Sequence, residues 1–509
     1  MLELLATSIL VVLVTALVYK IYYISRISKM FFKSNRIKEI DTSIAVSKLD
    51  ILLGRKGTTE GDNYAYKIIS SELAYCGISQ MGNPIILLKD LNLVKKVLVK
   101  DFEYFVDRPD LFSGAPFAIK KMMPWLKVEE WKRVRTAVSP TFTTSKIKGM
   151  MKHLNSVGNE WVASFKENAT TSSSSSVIFD ALHAVNQYTV DVIAASVFGI
   201  RSETIKNPNS PFAKTVAKIS HLSKWQLVKY FISVYIPALA RIFNVQYLDP
   251  KVLEFFEKIL EQKLKARMAS GDAGGATKPQ ANDFLQLLTE ARNEDGERLS
   301  QQTMNSQSLV FFFSGYRTTG SAIVFAMHAL AVHQDVQNRL RNELQNIGKD
   351  LDWDYDDLTQ LIYMDMVVCE VLRTYPVAAR LECKCVKDYE DRDTGLFVPK
   401  GAIVAIPINA IHHDLAYYEN PDTFDPNHFS PENKFERNPF AFMPFGMGPR
   451  HCIGMRFALI EIKAAIAYVV SNFRIEPATS PPSELKWNYT GSGMLPPKGL
   501  ELKLTLLDK

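Results

Sequence analysis

A cysteine towards the carboxyl end of the chain lies in a segment whose residue types suit a metal ligand. The segment has the spacing F-x-x-G-x-R-x-C-x-G, formed by Phe445, Gly448, Arg450, Cys452 and Gly454. Gly448 allows the positive φ of a tight turn, and the apolar pattern after Cys452 predicts a buried or amphipathic helix. A helix start favours a thiolate, because its free N–H groups and its dipole lower the thiol pKa. We therefore expect Cys452 to bind a metal, with Arg450 meeting an acidic group of the ligand and Phe445 shielding the sulfur.

An isolated cysteine is more often an inert core thiol, but this segment as a whole resembles the haem-ligating loop of the cytochrome P450 superfamily. The resemblance implies that Cys452 ligates the iron of haem b as a thiolate, which pushes electron density into the iron. It also implies a mainly α fold with small β-sheets, and it places Phe445, Gly448, Arg450 and Gly454 around the cofactor. The stretches DRPD, SPTFTTSKIK, AIHHD and FGMGPRHCIG are most similar to the microsomal xenobiotic-metabolising type of animals, including arthropods.

Further upstream, Glu370 and Arg373 match the E-x-x-R motif of that family. At positions i and i+3 they share one helical face, so they can form a charge pair that braces the core near the haem. The segment HHDLAYYENPDTFDPNHF resembles the one that gives this pair a third partner, usually arginine, and here His428 stands in that place. Histidine is only partly charged near neutral pH and lacks the guanidinium fork. We therefore expect a weaker or pH-sensitive brace.

Two residues are implied by the resemblance to hold a haem propionate. Trp131 and Arg135 stand at the spacing W-x-x-x-R, one helical turn apart, and arginine suits a carboxylate because it can donate two hydrogen bonds at once. The alternative is a surface helix with a buried tryptophan. Two residues before Cys385 the family often has another propionate-binding arginine, whereas this chain has Cys383. We therefore expect Arg135 and Arg450 to make this contact.

The apolar segment from Leu299 to Gln334 predicts a long helix, which the resemblance places on the oxygen side of the haem. Ser314, Gly315 and Thr318 fall on the family pattern A/G-G-x-E/D-T-T/S, so we expect them at the catalytic centre. The Thr318 hydroxyl can bond the Ser314 carbonyl, loosening the helix where oxygen and water must sit. Where the family usually has an acid, this chain has Arg317, which cannot pass protons at neutral pH. Either the relay runs through Thr318 and water, or the reaction is slowed, or Arg317 pairs with a carboxylate or an anionic substrate.

The amino-acid composition of the chain limits the classes of protein to which it can belong. The chain has 509 residues, of which 47% are hydrophobic and 22% charged, so it can bury a large core and is not disordered along its length. The chain has 60 Lys and Arg residues and 54 Asp and Glu residues, and this excess of positive charge is too small to indicate nucleic-acid binding. The five scattered cysteines are an odd number, which favours a reducing compartment over a disulfide framework.

The amino-terminal run from Leu4 to Tyr19 carries no charge and predicts a single membrane-spanning anchor. A buried core helix is the alternative interpretation. Basic residues follow the run and predict that the rest of the chain faces the cytosol, and the resemblance implies the endoplasmic reticulum membrane. We therefore divide the chain into an anchor over 1–26, a connector over 27–50 and a haem-thiolate domain over 51–509.

Helical periodicity begins at Leu91 and dominates the large domain from there on. Strands are expected at Asn83 to Lys89, within Phe397 to Ile408, and at Leu500 to Leu506. Loops are expected at Thr170 to Ser176 and Ala269 to Asp283.

The resemblance implies a haem-thiolate monooxygenase that inserts one atom of O2 into a lipophilic substrate. Its electrons would come from NADPH through a separate reductase, because no G-x-G-x-x-G fingerprint opens a βαβ unit here. Basic contacts for that reductase on the cysteine side would be Lys132, Arg133 and Lys434. A different class also stays open: a haem-thiolate isomerase or dehydratase that acts on a peroxide or oxygenated lipid without a reductase, for which Arg317 is the main argument.

Substrate contacts follow only from the resemblance, and such apolar positions are as often core as contact. We expect the amphipathic region His221 to Phe243 to contribute to the substrate pocket. The other expected contacts are Phe112, Phe117, Phe311, Phe313, Val377 and Met494.

Overall fold

The fold is mainly helical with small sheets, as the sequence predicts. The computed structural model describes residues 15, 23, 26–52, 55–70, 72–110, 115–171, 174–220, 224–235, 240, 242, 243, 245, 249–272, 283–292, 296–349, 351–479, 485, 488–490 and 493–507. Residues 26–34 are helical. The α-helices that follow are α1 (Lys48–Leu52), α2 (Thr58–Ile68), α3 (Leu91–Lys95), α4 (Phe117–Lys120), α5 (Val128–Val138), α6 (Thr144–Thr170), α7 (Ala181–Ile193), α8 (Pro211–Ser220), α9 (Lys224–Tyr235), α10 (Pro250–Asp272), α11 (Phe284–Glu290), α12 (Gln301–Val332), α13 (Gln334–Ile347), α14 (Tyr355–Gln360), α15 (Ile362–Thr374), α16 (Ile408–His412), α17 (Pro431–Glu436) and α18 (Met455–Asn472).

Short helical turns of other types connect these helices. Two π-helical turns continue α3 and α7, at Lys96–Lys100 and Ala194–Phe198. The 3-10 turns are Thr42–Ile44, Phe102–Tyr104, Met123–Trp125, Ser139–Phe142, Pro426–Phe429 and Pro439–Ala441.

Within the described residues, the strands form a five-stranded sheet, a three-stranded sheet and two antiparallel two-stranded sheets. They are β1 (Glu39–Ile40), β2 (Tyr75–Gln80), β3 (Asn83–Leu88), β4 (Ser176–Asp180), β5 (Leu381–Lys384), β6 (Tyr389–Asp391), β7 (Leu396–Val398), β8 (Ile403–Ile406), β9 (Phe473–Pro477), β10 (Asn488–Thr490), β11 (Gly493–Leu495) and β12 (Glu501–Leu506). The largest sheet has the order β1-β2-β3-β8-β5, with β1 parallel to β2 and β3 parallel to β8. The three-stranded sheet has the order β4-β12-β9.

Helix α12 runs through the core and matches the long helix predicted from Leu299 to Gln334. Ser300 caps it by accepting a hydrogen bond from the Thr303 N–H. Among the described residues it is the helix long and apolar enough to cross a membrane, but it is mostly buried inside the protein. It packs along α7, where a Cβ on Gly315 would come within 2.5 Å of the Ile193 Cδ1 atom. The absence of a side chain at Gly315 therefore lets the two helices approach closely.

Several local predictions are confirmed and others need correction. Strands β3, β7, β8 and β12 lie where the alternation predicts them, and helix α3 begins at Leu91. The first residues of the loop expected from Ala269 to Asp283 are helical, because α10 continues to Asp272, and residues 273–282 lie outside the described residues. The expected connector over 27–50 contains a helical segment and β1, which pairs with β2. It is therefore part of the folded domain rather than a linker. Apart from isolated residues, the predicted anchor over 1–26 lies outside the described residues.

Candidate active site

A cavity of about 380 Å³ lies beside α12, next to α5 and the segment that precedes α18. Its wall is mostly apolar, and it collects side chains that are far apart in the sequence. The predicted residues that line it are Trp131, Arg135, Phe311, Ser314, Gly315, Thr318, Arg450, Cys452 and Gly454. The fold therefore brings the cysteine segment, the W-x-x-x-R pair and the Ser314 to Thr318 stretch to one place.

The cysteine segment is a tight loop held by its own backbone. The Cys452 N–H donates to the Phe445 carbonyl at 2.8 Å. Gly448 has a φ of +74°, and a Cβ atom there would lie 2.0 Å from the Leu98 carbonyl oxygen. Only glycine fits such a position, because the left-handed conformation and the clash both exclude a side chain. Gly454 is the residue from which α18 starts.

The Cys452 side chain opens onto the cavity, while protein encloses its other sides. Burial raises the pKa of its thiol above the usual 9.0, although the Gly454 backbone and the charge of Arg135 act to lower it. The sequence-based expectation of a lowered pKa is therefore wrong for the protein groups alone, because desolvation outweighs the helix end. A metal ion that binds the sulfur replaces this proton. Ligation to a metal ion would therefore stabilise the thiolate, together with the Gly454 backbone and Arg135.

Arg450 and Trp131 face the cavity together. The Arg450 guanidinium lies 4.4 Å from the centre of the Trp131 ring, and its Nη2 donates to the Leu126 carbonyl at 2.9 Å. Its buried Nε has no hydrogen-bond partner among the residues that the structure describes. Burial, followed by the positive charge of Arg108, lowers the pKa of Arg450 to about 9. A buried guanidinium in this state favours an anionic ligand in the cavity.

Arg135 makes its protein contact with the cysteine loop. Its Nη1 donates to the His451 carbonyl at 3.0 Å, and the side chain also lines the cavity. Burial lowers the pKa of Arg135, and the opposing effect comes from Cys452. The guanidinium thus both steadies the loop and adds positive charge beside the sulfur.

Glu370 and Arg373 form the charge pair that the E-x-x-R motif predicts. Both side chains are fully buried, with Arg373 Nη2 lying 2.7 Å from Glu370 Oε1 and Arg373 Nε lying 2.8 Å from Glu370 Oε2. The His428 Nδ1 atom lies 3.2 Å from Glu370 Oε1. His428 is therefore the third member of this brace, in the position where the sequence places it.

The brace reaches the cysteine loop through His412, which the sequence analysis missed. Arg373 Nη1 donates to the His412 carbonyl at 2.9 Å, and the Met443 N–H donates to His412 Nε2 at 3.0 Å. Burial lowers the pKa of His412 to about 3, so the ring stays neutral and keeps an acceptor nitrogen. The sequence holds only a weak signal for it, a histidine at the end of an otherwise apolar run. Two hydrogen bonds at His412 therefore connect the loop to the brace.

On the opposite wall, Thr318 Oγ1 donates to the Ser314 carbonyl at 2.6 Å, which is the bond predicted from the sequence. Both side chains line the cavity. Arg317 is half-buried and does not line the cavity. The position of Arg317 therefore does not support the hypothesis that it binds an anionic substrate.

The predicted substrate contacts divide into two groups. Phe311 lines the cavity, whereas Phe313 packs against Phe256 with ring centroids 5.7 Å apart. The Met494 N–H donates to the Val377 carbonyl at 3.1 Å, and neither residue lines the cavity. Phe117 is exposed and also lies off the cavity wall, and Phe112 is outside the described residues. The lining residues that the sequence analysis missed include Arg108, Phe142, Met150, Ile193, Val197, Phe284 and Val310.

Comparison with known proteins decides the family. The chain matches the family model described as Cytochrome P450 over residues 73–504. The chain belongs to the cytochrome P450 family. Cytochrome P450 3A9 of Rattus norvegicus is 36% identical over 472 residues, covering 90% of this chain and 89% of that protein. Cytochrome P450 9e2 of Blattella germanica is 32% identical over 520 residues, covering 95% of each chain.

As a cytochrome P450, this protein is a haem-thiolate monooxygenase. The residues of the cavity fit a haem. Cys452 offers a sulfur that opens onto the cavity, and Arg450 offers a buried Nε without a protein partner among the described residues. When bound, haem supplies the iron chemistry that activates O2. Cys452 would hold the iron, while Arg450, Arg135 and Trp131 would hold the carboxylates.

Proposed function

We propose that this P450 inserts one oxygen atom of O2 into a lipophilic substrate at the endoplasmic reticulum membrane, facing the cytosol. Its electrons come from NADPH through a separate reductase. The observation that carries the proposal is that Cys452 and Thr318 line the same mostly apolar cavity. A mostly apolar wall favours a lipophilic ligand, because burying polar groups there without partners costs free energy.

On the α12 side of the cavity, Thr318 and Arg317 differ in what they can do with a proton. Thr318 Oγ1 donates its own proton to the Ser314 carbonyl, so its oxygen remains an acceptor towards the cavity. It can hold a water or a ligand hydroxyl at that atom. Arg317 cannot act as the usual acid, since a guanidinium stays protonated. The proton path that the geometry supports therefore runs through Thr318, the Ser314 hydroxyl and water.

The reductase would dock on the side of the haem that carries Cys452. Lys132 and Arg133 are exposed on α5, the helix whose Trp131 and Arg135 line the cavity. Lys434 is also exposed, but its Nζ lies 3.4 Å from Asp365 Oδ2. Lys132 and Arg133 are therefore the stronger basic contacts for an acidic partner surface.

The principal test follows labelled oxygen. Purified protein, reductase and NADPH are given 18O2 and a panel of lipophilic compounds, and the reduced carbon monoxide difference spectrum is recorded. We expect a thiolate-type spectrum and products that carry one labelled atom. A Cys452→Ser variant should lose both, while Cys76→Ala, on β2 away from the cavity, should keep both. Turnover of a peroxide or oxygenated lipid without NADPH, giving unlabelled product, would favour the isomerase or dehydratase class instead.

The docking surface has its own test. A Lys132→Glu/Arg133→Glu double variant should raise the reductase concentration needed for half-maximal turnover roughly tenfold, because complementary charge steers association. Turnover driven by hydrogen peroxide, which needs no reductase, should stay unchanged. The matched control is Lys251→Glu/Lys258→Glu, two exposed cations on α10. Equal effects of the two double variants would exclude α5 as the docking site.

A further inference from the structure

A second cavity, with a volume of about 400 Å³, is lined by residues of α2, β1 and β2. The exposed residues Lys29, Asp41 and Ser43 also line it, so this second cavity reaches the protein surface. Among the described residues, Arg380 is the one that lines both the second cavity and the active-site cavity. The Arg380 side chain therefore lies between the two spaces.

Arg380 is held by one carboxylate from each side. Its Nη1 atom lies 3.2 Å from Asp62 Oδ1 on α2, and its Nη2 atom lies 2.8 Å from Glu382 Oε1 on β5. Asp62 lines the second cavity, whereas Glu382 lines the active-site cavity. A guanidinium can bridge two carboxylates in this way because its N–H donors form a fixed fork. The two ion pairs therefore close the space between the cavities.

The arrangement gives Arg380 a second position. Breaking a buried ion pair is costly when one charge is left without a partner. If Asp62 lost its charge, however, Arg380 would still be paired with Glu382. The guanidinium could then turn towards Glu382 and keep its counter-charge. That movement would withdraw the side chain from the wall of the second cavity.

We propose that the ion pair of Arg380 with Asp62 is a gate between the two cavities, and that it opens when Asp62 loses its charge. The open gate admits water and other small polar molecules, because charged and hydroxyl side chains line much of the second cavity. The closed gate keeps them out of the mostly apolar active-site cavity, where exclusion of water prevents side reactions. The inference rests on the proposed oxygen-inserting function of that cavity.

The surroundings of Asp62 indicate the pH at which the gate opens. Burial raises the pKa of Asp62 from 3.8 to about 6, and the charge of Arg380 opposes this rise. The other titratable groups that face Asp62 are Glu382 and Glu60, which raise its pKa further, and the Cys76 thiol on β2. Asp62 therefore takes up a proton as the pH falls through about 6. The gate is closed at neutral pH and opens in mildly acidic solution.

The rate at which ligands reach the haem iron tests the gate on the holoprotein. Stopped-flow absorbance follows hydrogen cyanide, which is small and polar, and 4-phenylimidazole, which is bulky and apolar. Asp62→Asn removes the charge but keeps the shape, so cyanide association at neutral pH should become about tenfold faster, as expected for a tenfold larger open population. The rate for 4-phenylimidazole should stay unchanged. The matched control is Glu39→Gln, because Glu39 lines the same cavity from β1. Equal cyanide rates in the two variants would overturn the proposal.

Filling the second cavity tests the route that cyanide takes. Ser79 lines this cavity from β2, so the indole of an Asp62→Asn/Ser79→Trp variant should occupy the space. Cyanide association should then return to the slow rate of the unchanged protein. A double variant as fast as Asp62→Asn would mean that cyanide enters elsewhere, which contradicts the gate.

The pH dependence tests the gate without any substitution. Cyanide association with the unchanged protein should become faster as the pH falls through about 6, where hydrogen cyanide itself stays uncharged. Asp62→Asn should be equally fast on both sides of that pH. A rate that does not change with pH in the unchanged protein would also overturn the proposal. These measurements use neither reductase nor NADPH, so a holoprotein that failed to oxygenate any substrate would still show whether the gate exists.

Discussion

Thr318 presents its hydroxyl to the cavity while donating to the Ser314 carbonyl, and this arrangement predicts a specific loss. In Thr318→Ala, the acceptor that holds water or a ligand hydroxyl is gone. We expect the ratio of product to released hydrogen peroxide to fall by about a hundredfold, the lower range for a positioned proton-transfer group. The measurement compares product, peroxide and NADPH consumption in the same reaction.

Thr318→Ser provides the control, because it keeps the hydroxyl at the same place on α12. It should retain most of the coupling between NADPH and product. If Thr318→Ala were as well coupled as Thr318→Ser, the proton path would not depend on this side chain. Arg317→Glu would then be the informative variant, since higher coupling there would show that the cation at 317 slows the relay.

His428 makes the brace sensitive to pH. Burial lowers its pKa, but the hydrogen bond and the charge of Glu370 outweigh this effect, and the net pKa is raised from 6.5. Because the pKa of His428 is higher in the folded state than in the unfolded state, the protonated ring stabilises the folded protein at pH values below the unfolded-state pKa. That contribution is lost as the pH rises through the folded-state pKa. Haem retention and the free energy of unfolding should therefore both decrease as the pH rises above 6.5 and through the raised pKa of His428.

Two variants isolate this effect. His428→Gln keeps a neutral hydrogen-bonding side chain and should lose the pH dependence in that range. His428→Arg keeps a permanent charge and should be as stable at the higher pH as at the lower one. A polar cavity lies beside His428 and leaves space for the longer side chain. The same slope in all three proteins would assign the pH dependence to another group.

At the scale of elements, the conformation of the loop before Cys452 depends on Gly448. Gly448→Ala should destabilise the protein by more than the roughly 1–2 kcal/mol of a left-handed non-glycine residue, because its Cβ also meets a backbone oxygen. Gly395→Ala is the control, since Gly395 has a φ of +69° and no atom near its Cβ position. Urea unfolding and haem content measure both variants. Equal destabilisation would mean that Leu98 moves aside without cost.

The elements also explain which predictions could come from the sequence. The cysteine loop and the E-x-x-R pair are local motifs that carry the family resemblance, and α12 follows from helical periodicity, so all three could be predicted from the sequence. The pKa of Cys452 could not be predicted in the same way, because it depends on how much protein surrounds the sulfur. His412 was missed because its role arises from its contact with Met443, which only the tertiary fold brings near it. Strands β1 and β2 were not predicted, because their residues show no clear alternation.

For the whole molecule, the amino-terminal segment belongs to a core. Phe32 is 1% exposed, and its ring occupies the space where a Cβ of Gly77 would lie. Ile37 and Ile40 are buried as well, and Ile40 lies opposite Ile78 in the parallel pair β1–β2. Each such side chain contributes about 1.5–3 kcal/mol when it leaves water. The five-stranded sheet therefore relies on residues that precede the predicted domain boundary at 51.

This arrangement determines where the chain can be shortened for expression in soluble form. A chain that starts at about residue 26 keeps the whole sheet, whereas one that starts at 51 exposes the edge of β2 to pairing between molecules. We expect the longer version to remain monomeric and to unfold at a clearly higher urea concentration. Size-exclusion chromatography and urea titration of the two purified forms would check this, and matching midpoints would mean that the edge strand is dispensable.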